Sequence, residues 1–188
     1  MNGRLFFKRF GRLLNYVALC IGILPRGFRV WLLRFFRNTD GYFGLLIRYI
    51  LVKTLAKTCG NNVVIKPYVV LLRLENLSLG NNVSIHHFAY LDAEGGISLG
   101  NNVSIAHSSS ILSSNHVWDN PSLAIKYNHL EYMPVVIDDD VWIGCGCRVL
   151  AGTHILGHSV VAAGAVVNKN VESNTVVGGV PARVLKYI

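Results

Sequence analysis

From Ile137 onward an aliphatic residue returns at every sixth position, as Ile137, Ile143, Val149, Ile155, Val161 and Val167. This period constrains the fold more than any other feature of the chain. Four residues after each of them stands a small or β-branched residue: Val141, Cys147, Thr153, Ser159, Ala165 and Val171. Upstream the same steps run through Cys59, Ile65 and Leu71, then Leu79, Ile85 and Leu91, then Leu99, Ile105 and Ile111. A period of six fits neither a 3.6-residue helix nor a two-residue alternation carried through the chain. It fits a coil of three short flat strands joined by tight corners, with the aliphatic residue in a triangular interior and equivalent positions stacked about 4.8 Å apart. The segments CGNNVVI, LGNNVSI and LGNNVSI place Gly60, Gly80 and Gly100, each followed by an Asn pair, directly after the aliphatic residue, and Gly144 takes the same place in a later coil. Gly and Asn tolerate the left-handed backbone expected at a corner. The expected fold class is therefore an all-β solenoid, a parallel β-helix.

The repeat is interrupted once, between Ile111 and Ile137, where 26 residues stand in place of six. The excess, placed at 117–136, is polar and carries Trp118, Pro121, Tyr127, Tyr132 and Pro134. It is expected to leave the solenoid as a loop, and long loops on rigid scaffolds are where function concentrates. Residues 1–58 form a second region beside the solenoid of 59–188. They hold 11 of the 18 Lys and Arg, a single acid (Asp40) and 11 of the 19 aromatics, so their net charge is +10 against −2 for the rest. Basic charge confined to an appendage does not point to nucleic acid. Arg and Lys alternate there with Leu, Phe and Trp in helix-compatible runs broken at Pro25-Arg26-Gly27 and Asp40-Gly41, which predicts two to four helices. Such helices suit an anionic membrane surface, the alternative being that their aromatics pack on the solenoid. The uncharged run from Leu13 to Pro25 is short of the roughly 20 residues a spanning helix needs. Four cysteines without a CxxC pair point to a reducing, cytoplasmic setting. The expected location is the cytoplasm, peripheral on the inner membrane face.

The stretch VWIGCGCRVLAGTHILGHSVVAAGAVVNKNV, followed by VVGGVPARVLKYI, carries a resemblance as well as a period. Over residues 59–188 the chain resembles the hexapeptide-repeat, left-handed β-helix acyltransferases, and among them the sugar and polysaccharide O-acetyltransferases related to the galactoside and maltose enzymes. The resemblance implies a left-handed coil, acetyl-CoA as co-substrate, a sugar or glycan acceptor, and a homotrimer with the site between neighbouring prisms. It carries the catalytic role onto His116, after the Ser-rich SSSILSSNH, although members often have His-Pro where this chain has His116-Val117. The backbone N–H of Cys145, after Trp142-Ile143-Gly144, matches the donor to the thioester oxyanion. Trp142, Gly144, Ala163, Gly164 and Lys169 match co-substrate positions, the last three along the ridge that holds pantetheine and its phosphates. Asn168-Lys169 departs from the usual Thr-Lys. Arg183 matches a basic residue near the nucleotide end. Asp92, with Glu94 as its competitor, matches an acidic sugar contact. By spacing alone, His87 and His107 lie one 20-residue coil apart and stack as neighbours, either lining the acceptor cleft with His86 or forming a structural ladder.

The chemistry fits those residue types. A sugar hydroxyl is a poor nucleophile, and a neutral imidazole near pH 7 can take its proton. His154 and His158 have HxxxH spacing, which binds zinc only when both lie on one helix face, and here they fall on different faces of a solenoid. Cys145 and Cys147 read as small fillers, Asp138-Asp139-Asp140 as a solvated corner, and no metal is expected. Two other readings compete: an N-acetyltransferase of an amino sugar, and a non-catalytic β-helix scaffold. A scaffold needs neither His116 nor the loop nor the Val-Pro-Ala-Arg ending.

Overall fold

The structure, a computed structural model, describes residues 3–188. Three helices, α1 (Gly3–Gly22), α2 (Arg26–Phe35) and α3 (Gly41–Leu55), precede a solenoid that starts at Thr58. Their number falls within the expected range. Pro25 stands immediately before α2, where its missing N–H costs nothing. Asp40 starts α3 by accepting a hydrogen bond from the Gly41 N–H at 2.7 Å.

The solenoid has three parallel faces. Face A stacks Thr58–Cys59, Leu77–Leu79, Ile97–Leu99, Val135–Ile137 and His154–Ile155. Face B stacks Val64–Ile65, Ser84–Ile85, Ser104–Ile105, Val141–Ile143, Ser159–Val161 and Thr175–Gly178, with Arg183–Tyr187 added antiparallel at its edge. Face C stacks Val70–Leu72, Tyr90–Asp92, Ser110–Leu112, Arg148–Val149 and Val166–Val167. The register joins the expected positions: Cys59 to Leu79, Leu99, Ile137 and Ile155 on face A, and Ile65 to Ile85, Ile105, Ile143 and Val161 on face B. These ladders form the core. The period slips once, because Val171 and not residue 173 bridges to Ile155.

The three corners are called AB, BC and CA after the faces they join. At AB the left-handed residues of the first three coils are Asn62, Asn82 and Asn102, with φ of 56°, 57° and 58°, and Asp140, His158 and Asn174 continue the row. The glycines before them do not have positive φ, which corrects the role expected for them. Gly80 is required instead by close approach, since a Cβ there would lie 2.5 Å from the carbonyl oxygen of Gly100 in the next coil.

The first coil leaves outward carbonyls with no preceding coil to pair them, and α3 covers that end. Arg48 Nε donates to the Ile65 carbonyl at 2.9 Å, Lys53 Nζ to that of Cys59 at 3.0 Å, and Tyr49 Oη to that of Gly60 at 3.3 Å. Tyr49, Leu51, Val52 and Leu55 are buried on this helix. Phe28, Trp31 and Phe35 of α2, by contrast, stack on one another and face outward, so the aromatics of the N-terminal region divide between core and surface. Among the described residues, no helix is long and apolar enough to cross a membrane.

The insertion is a hairpin: Ser114–His116 pairs antiparallel with Leu130–Tyr132. Its limits differ from 117–136. Val135 is fully buried and pairs with Ile97, so the chain is already back on face A at Val135, and His116 lies inside the hairpin.

Candidate active site: two corners of the prism

Corner BC gathers most of the residues singled out in the sequence. In successive coils its left-handed positions are Tyr68, Phe88, Ser108, Gly146 and Gly164, and the residue before each is Pro67, His87, His107, Cys145 and Ala163. The turns are strung together by Ser108 N to His87 O at 3.0 Å, Gly146 N to His107 O at 3.0 Å and Gly164 N to Cys145 O at 2.8 Å. The N–H groups of His87, His107, Cys145 and Ala163 have no acceptor among the described residues. Open space lies beyond Gly146 and Gly164, where an added Cβ meets nothing within 4 Å. The corner is thus a row of unpaired donors that widens from aromatic side chains in the early coils to bare backbone in the later ones. Arg183 lies beside its last coil, paired with Gly178.

Gly144 and Trp142 lead into this corner. A Cβ on Gly144 would lie 2.7 Å from the Val161 carbonyl oxygen and the Ala163 nitrogen, so any side chain there would force the coils apart. Trp142 points outward from face B between Ser104 and Val160. His86 precedes the turn of its coil, and its pKa is lowered by burial first and then by Lys66, His87 and His107. Cys147 is buried, and burial pushes its thiol up. Ser109, which the sequence reading did not select, is fully buried: its Oγ donates to the Gly144 carbonyl at 2.8 Å and accepts from Cys147 N–H at 3.2 Å. It clamps the Cys145 turn from inside. A hydroxyl at an interior position otherwise filled by aliphatic or small residues was the available signal.

Corner CA holds the rest. His116 is exposed, opposite Leu130 in the hairpin, and faces a cleft of about 500 Å³ lined also by Trp118, Asp119, Glu131 and Leu150. Its ring has no hydrogen bond among the described residues, so its nitrogens are free for a substrate. Asp92 ends its face C strand at this corner. Glu94 is drawn away, bonded to Arg73 at 2.6 Å. Lys169 is exposed at the same corner in a later coil, not on BC with Ala163 and Gly164. Ser113, also missed, roots the hairpin: its Oγ donates to the Asp92 carbonyl at 2.7 Å and accepts from Gly95 N–H at 2.9 Å, while its carbonyl accepts from Met133 N–H at 3.0 Å.

Within one chain, then, His116, Asp92 and Lys169 stand at one corner and His86, His107, Cys145, Ala163, Gly164 and Arg183 at another, with face C between them. His154 and His158 are occupied by neighbours: Nε2 of His154 lies 2.8 Å from Asp138 and Nδ1 of His158 lies 2.6 Å from Asp140. Among the described residues, no three His, Cys, Asp or Glu side chains converge as a metal would require.

No family model matches the chain. The structure superposes on a maltose O-acetyltransferase from Clostridium difficile with a TM-score of 0.77 and 29% identity, over 87% of this chain and 86% of that one. A hexapeptide-repeat acetyltransferase from Vibrio cholerae, solved with acetyl coenzyme A, gives 0.76 and 28% over 85% of each. Among curated relatives, a Saccharomyces cerevisiae protein named as an acetyltransferase is 47% identical over 60 residues, 31% of each chain. A 2,3,4,5-tetrahydropyridine-2,6-dicarboxylate N-acetyltransferase from Alkaliphilus metalliredigens is 53% identical over 55 residues, 29% of this chain and 23% of its own. The match spans less than a third of these curated relatives. The fold is that of the left-handed β-helix acetyltransferases.

Proposed function

We propose that this chain is an acetyl-CoA-dependent O-acetyltransferase that acts on a sugar or glycan hydroxyl as a homotrimer, in the biosynthesis of a bacterial surface polysaccharide. The observation that carries the reading is the pair of corners: one offers an unpaired imidazole beside a cleft, the other a row of unpaired N–H donors, and face C keeps them apart. A neighbouring prism set against the BC corner with its own hairpin supplies His116 where one chain lacks it. The donor row and the open glycines fit the extended amide chain of pantetheine, with Lys169 and Arg183 toward the phosphates. Acetyl-CoA supplies the acyl group as a thioester. His116 takes the proton of the acceptor hydroxyl as that oxygen attacks, and the Cys145 N–H donates to the oxyanion that forms. Asp92, His86 and His107 line the acceptor side. No acyl-enzyme forms, and the Cys145 thiol takes no part.

His116→Ala is expected to lower turnover by about 10²–10⁴-fold, followed as thiol release, with little change in acetyl-CoA affinity. A fully active His116→Ala overturns the assignment: a dead Cys145→Ala beside it points to thiol chemistry, and an inactive His107→Ala beside it moves the base one coil upstream. An active monomer in sedimentation overturns the shared site. Transfer to an amino group is the second reading, favoured by the N-acetyltransferase among the relatives, and a product stable to mild base decides for it. The basic N-terminal region, with Phe28, Trp31 and Phe35 exposed on α2, belongs in this proposal at the inner membrane face. Full-length protein that ignores anionic liposomes at low salt removes that placement.

A further inference from the structure

The N-terminal region borders a second cavity, set against the first coil of the solenoid. It lies between α2 and the first coil, has a volume of about 220 Å³, and is lined by five arginines: Arg26, Arg34, Arg37, Arg48 and Arg73. One acid, Glu75, lies among them, and Val30, Leu33 and Leu71 contribute apolar wall. Arg26 is paired with Glu75 at 2.5 Å and Arg73 with Glu94 at 2.6 Å. Arg34, Arg37 and Arg48 have no carboxylate partner among the described residues.

Arg48 is the telling member. It is fully buried, a rare condition for a charge that is not paired. Its Nε holds the Ile65 carbonyl, and its Nη1 holds those of Phe36 at 3.0 Å and Thr39 at 2.6 Å. Those bonds account for a structural role that ties α2 and α3 to the first coil. Nη2 remains buried with no partner among the described residues. A buried guanidinium with its Nη2 to spare stands beside two arginines without a carboxylate partner; the five arginines meet only Glu75, Glu94 and, acting on Arg48, Asp40, which leaves a local excess of positive charge.

We propose that this cavity binds the phosphate end of an amphiphilic phosphorylated ligand. Guanidinium groups match phosphate oxygens in forked pairs. The apolar wall suits the alkyl or ring part that follows, and the volume suits a phosphate or diphosphate with its first attached atoms. The phosphate can belong to a lipid headgroup or to a soluble phosphoester. None of its residues belongs to the donor row of BC or to the hairpin, although Leu72 pairs with Asp92 and Arg73 holds Glu94 at the first coils of CA.

The test uses the full chain and inorganic pyrophosphate as probe, followed by titration calorimetry. Saturable binding that weakens about tenfold or more in the surface double variant Arg34→Gln/Arg37→Gln supports the site. Arg9→Gln/Arg12→Gln on α1 removes the same charge elsewhere and should leave affinity within about twofold. Equal losses in both variants mean a diffuse basic surface and overturn the proposal, as does the absence of saturable binding. The second arm uses phosphatidylcholine vesicles with and without phosphatidate. Binding to phosphatidate vesicles that pyrophosphate competes away assigns the lipid source. Pyrophosphate binding without vesicle binding assigns the soluble one.

Discussion

Corners AB and BC are built on the same backbone turn and end in opposite chemistry. At AB the N–H groups of Asn61, Asn81 and Asn101 donate to Oδ1 of Asn81, Asn101 and Asp139 in the next coil, at 2.9, 2.9 and 2.6 Å. A second ladder runs beside it, from Asn62 to Asn82 and on to Asn102. At BC the corresponding N–H groups of His87, His107, Cys145 and Ala163 find no acceptor among the described residues. Backbone donors must be paired somewhere, with protein, water or ligand. In its first three coils the solenoid therefore uses AB to hold its coils together, while BC stays open to whatever brings acceptors; in the later coils the AB N–H groups of Asp139 and Gly157 have no acceptor among the described residues either. What separates the corners in the early coils is a side-chain choice, Asn at AB against His at BC.

The largest effect expected from breaking this contrast is at Cys145. Its turn has the form in which proline suits the first central position, because Gly146 follows at φ 67°. The protein itself places Pro67 before Tyr68, at φ 64°, in the equivalent turn of the first coil. Cys145→Pro should therefore fold while deleting one N–H from the row. On the proposed mechanism turnover falls by about 10²–10³-fold, whereas Cys145→Ala stays near the parent rate. Equal activity in the two variants, measured on folded protein, removes the oxyanion role.

The next effects fall on stability. Gly80→Ala at AB drives a Cβ into the Gly100 carbonyl, and overpacking of this kind costs about 1–3 kcal/mol. Gly164→Ala at BC meets nothing and costs only the left-handed backbone, about 1 kcal/mol. Denaturant unfolding of both variants ranks them, and a larger loss at Gly164 contradicts the picture of an open corner. Asn81→Ala removes the acceptor of the Asn61 N–H and should cost about 1 kcal/mol with acetyl transfer untouched.

The difference between the corners also explains what could be read from the sequence. The inward ladder was legible because burial selects one residue class at a fixed step, and the register joins the expected positions. The Gly–Asn repeats marked AB as a corner, but the sequence reading gave the left-handed backbone to Gly and Asn alike. Only coordinates show that the second Asn takes the positive φ and the glycine makes room for the next coil. Ser109 and Ser113 were missed because an interior hydroxyl looks like any other small filler until its partners across 35 and 18–21 residues are seen. The hairpin limits were misplaced because Val135 and Val136 continue a polar segment yet pair on face A. The Arg48 cavity depends on how α2 and α3 dock on the first coil, which no periodicity encodes.

The smallest expected effect separates the corners by acid. At BC the His86 pKa lies below its ordinary value of 6.5, through burial first and then through Lys66, His87 and His107. The unfolded chain therefore binds that proton more readily, so this contribution to stability is present above pH 6.5 and is lost as pH falls from there toward the lowered folded value. At AB the Asp139 carboxyl is held below its ordinary value of 3.8 by bonds from the Asn101 N–H first and then from the Asn101 side chain. Its contribution is present above pH 3.8 and is lost as pH falls through the lower folded value. Both groups thus weaken the fold on acidification, His86 from pH 6.5 downward and Asp139 only from pH 3.8 downward. His86→Asn should flatten the dependence of the unfolding midpoint on pH just below neutrality and leave the acid limb unchanged. Asp139→Asn should do the reverse, losing some stability at neutral pH because an amide oxygen replaces the charged acceptor of Asn101. If His86→Asn alters only the acid limb, the BC histidine is not the group that titrates, and the chemical contrast between the two corners does not extend to their protons.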